Sequence, residues 1–148
     1  KLMTKEELIR TIRELSSDVR FGVLSTLKED QPYNCLIGYI LSNDLKYLYF
    51  ITSKTTRKYH NIQNNNKVSV LFDNRHVAPE KTYMITAITV MGKATTLKIP
   101  PKNILSTYIE KHPELADFAQ AKNSMLVKVE VSKYIVVSRF QKVIELTM

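Results

Sequence analysis

A run of hydroxyl and basic side chains occupies the middle of this chain of 148 residues. It consists of four hydroxyl residues and three cations, in this order: Thr52, Ser53, Lys54, Thr55, Thr56, Arg57 and Lys58. Arginine gives phosphate oxygens a bidentate fork, and lysine supplies a compact positive charge. Thr55 or Thr56 stands where a helix N-cap is expected, so the free N–H groups of that helix would face the same anion. We predict phosphate binding here, although composition alone fits equally well a capped helix with a solvated basic face.

Two apolar strands are predicted to position this run. Residues 46–51 precede it and residues 67–73 follow it, and both are rich in β-branched or aromatic side chains. Between them, Tyr59 and Ile62 mark the apolar side of a short helix that ends at the Asn-rich residues 64–66. The chain has only three glycines, so the glycine-rich loops of nucleotide triphosphatases and dinucleotide-binding proteins are excluded.

The first part of the chain predicts a helix followed by a meander of strands. Thr4 and Glu7 form a capping box, and apolar residues then recur at helical spacing, which predicts an amphipathic helix over residues 4–17. We expect this helix to cover an opening in a β structure. Three strands with short connections follow and must therefore be antiparallel. They cover residues 21–27, 33–41 and 46–51.

More strands are predicted in the second half of the chain. A polar loop at 74–81 leads into a long strand over 82–97, which we expect to bend at Gly92 as barrel strands do. Alternating valines predict C-terminal strands over 125–146 with one face buried. A short break is expected at residues 132–133.

A helical segment is predicted over 103–120, with Asn103 as its N-cap and a second helical piece restarting at Pro113. With residues 21–97 as the barrel core, the chain is predicted to form a single domain over 1–148. The fold class is mainly β. We expect a closed or nearly closed antiparallel barrel of six or seven strands, with helices at its periphery.

Composition narrows the classes of protein. Hydrophobic residues make up 44% of the chain and charged residues 24%, as in ordinary globular proteins, and no apolar run is long enough for a membrane span. The single cysteine, Cys35, excludes an internal disulfide and favours a cytoplasmic location. The net charge of +8 is compatible with nucleic-acid binding, but the cations are scattered. A phosphorylated ligand explains the charge as well, so we do not expect nucleic acid.

The three histidines, His60, His76 and His112, have no metal-binding spacing, so no metal site is predicted. His112 precedes a proline and is expected in a loop. The acidic residues form no pair that suggests acid–base catalysis, so no catalytic residue is assigned.

The central run resembles a known family. Residues 51–60, ITSKTTRKYH, and residues 62–72, IQNNNKVSVLF, are similar to the FMN-binding segment of the pyridoxamine 5'-phosphate oxidase-like split-barrel family. The resemblance extends upstream through residues 31–33 and downstream through residues 90–94, so that it covers roughly residues 21–97. It implies a Greek-key split β-barrel. It also implies a homodimer with the flavin at the interface.

The resemblance also implies the residues that bind FMN. The pair that grips the phosphate falls on Arg57 and Lys58, with the neighbouring hydroxyls as supporting donors, and the ribityl path falls on Ile51 and Thr52. The strand that follows the flavin ring falls on residues 34–39. The implied cofactor-binding residues are Asn34, Cys35, Leu36, Ile37, Tyr39, Ile51, Thr52, Ser53, Thr55, Thr56, Arg57 and Lys58.

The substrate is less well defined than the cofactor. The oxidase has an arginine, a lysine and a glutamine where this chain has Asn34, Tyr39 and Ala87, and the chain has no Trp, so we do not expect pyridoxamine phosphate oxidation. The chain is more similar to short relatives described as general stress or flavin-nucleotide-binding proteins. An FMN-dependent oxidoreductase acting on an unidentified small molecule is the function the resemblance implies. The alternatives are a non-catalytic flavin or heme binding or stress protein, a deazaflavin site, and a basic nucleic-acid-binding barrel. In heme-handling relatives a histidine can ligate iron, so all three histidines stay open for that role.

Overall fold

The structure, a computed structural model, describes residues 3–76, 84–139 and 141–148. Strands dominate the described chain, and the helices lie between them or at the ends. The elements in chain order are α1 (Lys5–Asp18), β1 (Phe21–Lys28), β2 (Gln31–Leu41), β3 (Tyr47–Ser53), α2 (Arg57–Asn64), β4 (Lys67–Asp73), β5 (Ala87–Leu97), α3 (Lys102–Lys111), α4 (Ala116–Ala119), β6 (Ser124–Ser138) and β7 (Lys142–Thr147). A short 3-10 helix, Pro113–Leu115, joins α3 to α4.

The strands form one antiparallel sheet in the order β3-β2-β1-β4-β5-β6-β7, and β3 also pairs with β6. This additional pairing closes β1 to β6 into a six-stranded barrel, and β7 pairs with the C-terminal part of β6. Because α2 carries the chain from β3 across to the far side of β1, the order β4-β1-β2-β3 is a Greek key. The predicted mainly β, antiparallel Greek-key barrel with peripheral helices is confirmed.

The interior of the barrel is apolar, and α1 closes one of its openings. Leu8 and Ile12 of α1 pack in the same buried cluster as Leu24, Phe50 and Val70 of the strands. The helix begins as predicted, because the Thr4 hydroxyl oxygen accepts the N–H of Glu7 at 3.1 Å. The expected covering role of the first helix is therefore confirmed.

A second buried cluster lies outside the barrel, where α3 and α4 pack on the outer face of β2, β3 and β6. Tyr108 of α3 is 1% exposed, and its hydroxyl donates to the carbonyl oxygen of Gly38 at 3.1 Å. Ile40, Ile51 and Leu126 supply the strand side of this cluster. These helices build one wall of the cavity described below.

The pairing of β5 with β6 is irregular at Gly92, where the sequence predicts a bend in β5. The register with β6 shifts between Met91 and Gly92, and Ser132 is the extra residue on the opposite strand. The break expected at residues 132–133 is therefore wrong in detail, since β6 runs through it with a bulge. The Ser132 hydroxyl donates to the Met91 carbonyl oxygen at 3.0 Å, which holds the bulge in place.

Some boundaries differ from the prediction. Asn103 does not cap α3, because Pro101 occupies the N-cap position and no side chain caps the helix. Proline suits the start of a helix, since the N–H it lacks would have no partner there. The strand predicted from residue 82 begins at Ala87; residues 77–83, which include part of the predicted loop and the start of that strand, lie outside the described residues. No described helix is long and apolar enough to cross a membrane.

Candidate functional site

The hydroxyl-rich run lies at the junction between β3 and α2. Thr56 is the N-cap of α2, and its hydroxyl oxygen accepts the N–H of Tyr59 at 3.3 Å. The Thr52 and Thr56 hydroxyl oxygens are 2.7 Å apart, and those of Ser53 and Thr55 are 3.0 Å apart. The capped helix start is confirmed, with Thr56 rather than Thr55 as the cap.

Removing this cap should destabilise the protein measurably. We expect Thr56→Ala to lower the free energy of unfolding by about 1 kcal/mol, because the N–H groups of the first turn lose an acceptor. Thr55→Ala is the matched control, since Thr55 is exposed and does not cap the helix. Urea unfolding of both variants checks the prediction, and equal losses would contradict it.

A cavity of about 410 Å³ opens beside this junction, between the outer face of β2 and the helices α3 and α4. We call it the β2–α3 cavity. Its polar lining comes from Thr52, Thr56 and Lys58. The rest of the lining is apolar except for the hydroxyl of Tyr108. It comprises Phe21, Leu36, Ile37, Gly38, Ile51, Tyr108, Leu115 and Phe118. A cation and hydroxyls beside apolar walls can hold an organic phosphate ester whose body is a flat apolar ring.

A second cavity, of about 850 Å³, lies on the other side of α2, against the turn between β1 and β2. It is lined by Lys28, Glu29, Gln31, Pro32, Tyr33, Arg57, His60, Asn61, Asn64 and Asn65. The Arg57 guanidinium lies 5.9 Å from the centre of the Tyr33 ring. The structure therefore places Arg57 and Lys58 against different cavities, although they are adjacent in the sequence.

The structure brings together half of the residues predicted to bind FMN. Leu36, Ile37, Ile51, Thr52, Thr56 and Lys58 line the β2–α3 cavity. Ser53 and Thr55 belong to the adjoining hydroxyl network, and Arg57 faces the second cavity. Asn34 is exposed, whereas Cys35 and Tyr39 pack against the barrel interior. Burial raises the pKa of the Cys35 thiol, against the opposing charge of Lys58, so this cysteine is a neutral packing residue.

His112 lies in the connection that follows α3, as expected, and it is completely buried there. Its Nε2 atom lies 3.0 Å from the carbonyl oxygen of Tyr39, and its Nδ1 atom has no hydrogen-bond partner in the structure. Burial lowers the pKa of the imidazole, the bond to Tyr39 opposes that shift, and the charges of Lys111 and Arg20 reinforce it. Only the packing of α3 onto β2 reveals this position, so no local sequence signal could have found it.

Lys111, next to His112, ties α3 to the end of α1. Its ammonium group donates to the Ser16 carbonyl oxygen at 2.8 Å and lies 3.9 Å from the centre of the Tyr39 ring. Burial lowers the pKa of Lys111 to about 8, with a further contribution from the charge of Arg20. A cation on the last carbonyls of a helix is stabilising, so the contacts of Lys111 are those of a structural residue.

Sequence comparison decides the family. A family profile described as pyridoxamine 5'-phosphate oxidase matches residues 8–138. The chain belongs to the pyridoxamine 5'-phosphate oxidase family. The match includes every strand from β1 to β6 and both sides of the β2–α3 cavity. A comparison with curated proteins found no match.

Several solved structures share the fold of this oxidase-family chain. A heme binding protein from Mycobacterium smegmatis has a TM-score of 0.82 at 12% identity, covering 98% of this chain and 60% of its own. General Stress Protein 26 from Bacillus anthracis has a TM-score of 0.67 at 23% identity, covering 94% of this chain and 98% of its own. HutZ, the heme storage protein from Vibrio cholerae, has a TM-score of 0.69 at 16% identity, covering 87% and 91%. These likenesses establish a shared fold.

The oxidase-family fold carries no evident metal centre in the part of the chain described. No three His, Cys, Asp or Glu side chains there are grouped so that they could hold a metal ion. Of the three histidines, His60 and His76 are exposed and only His112 is buried. The polar side chains that line the β2–α3 cavity are those of Lys58, Thr52 and Thr56, beside an apolar wall.

Proposed function

We propose that this protein binds FMN in the β2–α3 cavity and uses it as a flavin-dependent oxidoreductase on a small molecule. One observation carries the proposal. In a chain of this family, Lys58 and the hydroxyls of Thr52 and Thr56 lie in the same cavity as an apolar wall. Its volume of about 410 Å³ lies within the range of small-molecule sites, roughly 300–1,000 Å³.

Each part of the cavity has a distinct role in this proposal. Lys58 neutralises the phosphate, while Thr52 and Thr56 order the turn from which the first N–H groups of α2 face it. Leu36 and Ile51 on the strands, together with the helices opposite, exclude water from the ring. When bound, FMN supplies the electron and hydride chemistry, and the protein supplies binding and orientation.

The test is binding of FMN by the purified protein, compared with riboflavin, which lacks the phosphate. We expect FMN to bind with its fluorescence or absorbance altered, and to bind much more tightly than riboflavin. Failure to bind FMN would overturn the proposal, and equal affinity for both flavins would overturn the phosphate site. Consumption of reduced nicotinamide by the FMN-loaded protein with candidate acceptors then separates an oxidoreductase from a carrier. A deazaflavin analogue in the same titration tests the alternative flavin.

Heme is the second candidate, favoured by the heme binding and heme storage proteins that share the fold. Addition of hemin to the flavin-free protein tests it. A Soret band that shifts and saturates at one heme per chain would support heme binding, and competition with FMN would place both in the same cavity. A hemin spectrum unchanged by the protein would exclude this candidate.

A homodimer is part of the proposal, because apolar side chains are exposed beside the cavity. On the outer face of the barrel, Leu36 is 71% exposed, Phe21 47% and Leu71 41%. Val23 lies between Leu36 and Leu71 across the sheet, so these residues form one patch. An apolar patch of this kind is typical of an interaction surface. Since Phe21 and Leu36 also line the β2–α3 cavity, a second copy seated on the patch would cover the bound ring.

A charge placed in this patch should separate the two copies. We expect Leu71→Glu to convert a dimer into a monomer and to weaken FMN binding, because two buried glutamates would face an apolar interface. Val143→Glu is the control, since Val143 is 59% exposed on β7, away from the patch. Light scattering during gel filtration measures the mass. A wild-type monomer, or a dimer that survives Leu71→Glu, would contradict the prediction.

A further inference from the structure

The second cavity lies between one face of α2 and one face of the β1–β2 hairpin. Four of its lining residues are three or four positions apart on α2 and therefore share one side of that helix: Arg57, His60, Asn61 and Asn64. Three others lie on the hairpin, at paired or alternate positions that share one face: Lys28, Gln31 and Tyr33. Ile62, on a different side of α2, packs in the barrel core instead. Each of the side chains at the cavity carries a polar group, so the space between the two faces is not part of the hydrophobic core.

Asn61 presents an unpaired oxygen to this cavity. The side chain is held in place because its Nδ2 atom donates to the Thr26 hydroxyl oxygen at 3.0 Å, and the residue is only 7% exposed. No hydrogen bond in the described chain reaches Asn61 Oδ1. The unpaired side-chain atoms that the described chain seals from solvent are the Tyr39 hydroxyl and His112 Nδ1, so Asn61 Oδ1 is accessible. This oxygen can therefore accept an N–H group of a ligand in the cavity.

A flat cationic surface adjoins this oxygen. Tyr33 pairs across the hairpin with Thr26, the residue that anchors Asn61. The Arg57 guanidinium lies 5.9 Å from the centre of the Tyr33 ring, and Arg57 is exposed, so a further planar group can stack on this pair. Nucleobases stack on arginine and aromatic side chains in this way. Lys28, exposed on the same face of the hairpin, adds a charge for an anionic group.

We propose that the second cavity binds a nucleoside monophosphate whose base carries an exocyclic amino group. The base stacks on the pair of Arg57 and Tyr33, and its amino group donates to Asn61 Oδ1. Lys28 neutralises the phosphate. The volume of about 850 Å³ suits such a ligand, since small-molecule sites measure roughly 300–1,000 Å³. The alternative is that the cavity holds water, which would satisfy Asn61 Oδ1 without a ligand.

Titration calorimetry with AMP and IMP tests this site. The two nucleotides share the ribose and the phosphate, but AMP has an amino group where IMP has a carbonyl oxygen. We expect AMP to bind about tenfold more tightly than IMP, the effect of one hydrogen bond to a buried acceptor. Saturation with FMN should leave both affinities unchanged, because α2 separates this cavity from the β2–α3 cavity. NAD⁺ is titrated as well, and tighter binding than AMP would identify the ligand as the adenylate group of a dinucleotide.

Three variants assign the binding to this cavity. Asn61→Ala should bind AMP and IMP alike, because the acceptor is gone. Arg57→Ala should weaken AMP binding about tenfold, because the stacking surface is lost. Lys58→Ala is the matched control: it removes the neighbouring cation on α2, so it should weaken FMN binding and leave the AMP affinity as it is. Thermal unfolding checks that each variant is folded, and if Asn61→Ala is not, Arg57→Ala at its exposed position still decides the matter.

The outcomes separate this inference from the proposed function. The inference is wrong if AMP does not bind, if the wild type binds AMP and IMP equally, or if Asn61→Ala keeps the preference. It is also wrong if Lys58→Ala weakens AMP binding as much as Arg57→Ala does, or if FMN displaces AMP, since the nucleotide then occupies the β2–α3 cavity. All of these results leave the proposed FMN site intact. A protein that binds AMP but not FMN would overturn the proposed function alone.

Discussion

Lys58→Ala should weaken FMN binding by about 1.5–3 kcal/mol, roughly one to two orders of magnitude in affinity, because a charge-assisted bond to the phosphate is lost. Arg57→Ala is the matched control. The two residues are neighbours and carry the same charge, but only Lys58 lines the cavity with Thr52 and Thr56. Arg57 lies over Tyr33 in the second cavity. We therefore expect a smaller loss for Arg57→Ala, from the reduced long-range attraction alone.

Titration calorimetry with FMN and riboflavin measures this difference. The loss of affinity caused by Lys58→Ala should disappear with riboflavin, because riboflavin has no phosphate for Lys58 to contact. If Arg57→Ala loses as much affinity as Lys58→Ala, Arg57 also grips the phosphate, as the family resemblance implies, and the division between two cavities is wrong. If the double variant Arg57→Ala/Lys58→Ala binds FMN like the wild type, neither cation contacts the cofactor.

Gly92→Ala should destabilise the fold by about 3 kcal/mol, a large share of the 5–15 kcal/mol typical of a domain. A Cβ atom at this position would lie 2.2 Å from the Glu130 carbonyl oxygen and 2.8 Å from Val129 Cγ1. The oxygen belongs to the backbone of β6, so it cannot move without disturbing the pairing of β5 and β6 at the bulge. Strain of this kind cannot be relieved by a change of side-chain rotamer.

Gly22→Ala is the comparison for this prediction. Its nearest obstacle is a side-chain methyl group, Val70 Cγ1 at 2.9 Å, with the Leu71 carbonyl oxygen at 3.2 Å. We expect a smaller loss of stability, because a side-chain atom can yield more readily than a strand backbone. Urea unfolding of both variants measures the two losses. A Gly92→Ala protein as stable as the wild type would mean that β5 and β6 approach each other less closely at Gly92.

The local features of this chain could be predicted because nearby residues form them. Thr4 and Thr56 cap helices within their own turns, and the valines at 127, 129 and 131 are all buried because strand side chains alternate. Gly92 marks the irregular pairing of β5 with β6, although the extra residue lies on β6. Asn103 failed as a cap, since Pro101 is the N-cap two residues earlier and leaves Asn103 inside the helix. Several residues near a helix start can each be interpreted as its N-cap, and the sequence alone does not show which of them it is.

The candidate site likewise has one part that the sequence predicts and one part that only the tertiary structure shows. The sequence by itself determined the run of hydroxyls and cations at the start of a helix, because strand, cap and helix are contiguous there. Only the tertiary structure decided that Lys58 and Arg57 line different cavities. The cavity at Lys58 is built with α3 and the cavity at Arg57 with the β1–β2 turn, and these two elements are distant in the chain. It also decided that His112 is buried against Gly38 with a free nitrogen. Burial and hydrogen-bond partners are set by elements that meet only when the barrel closes and its helices pack, and no local pattern encodes that meeting.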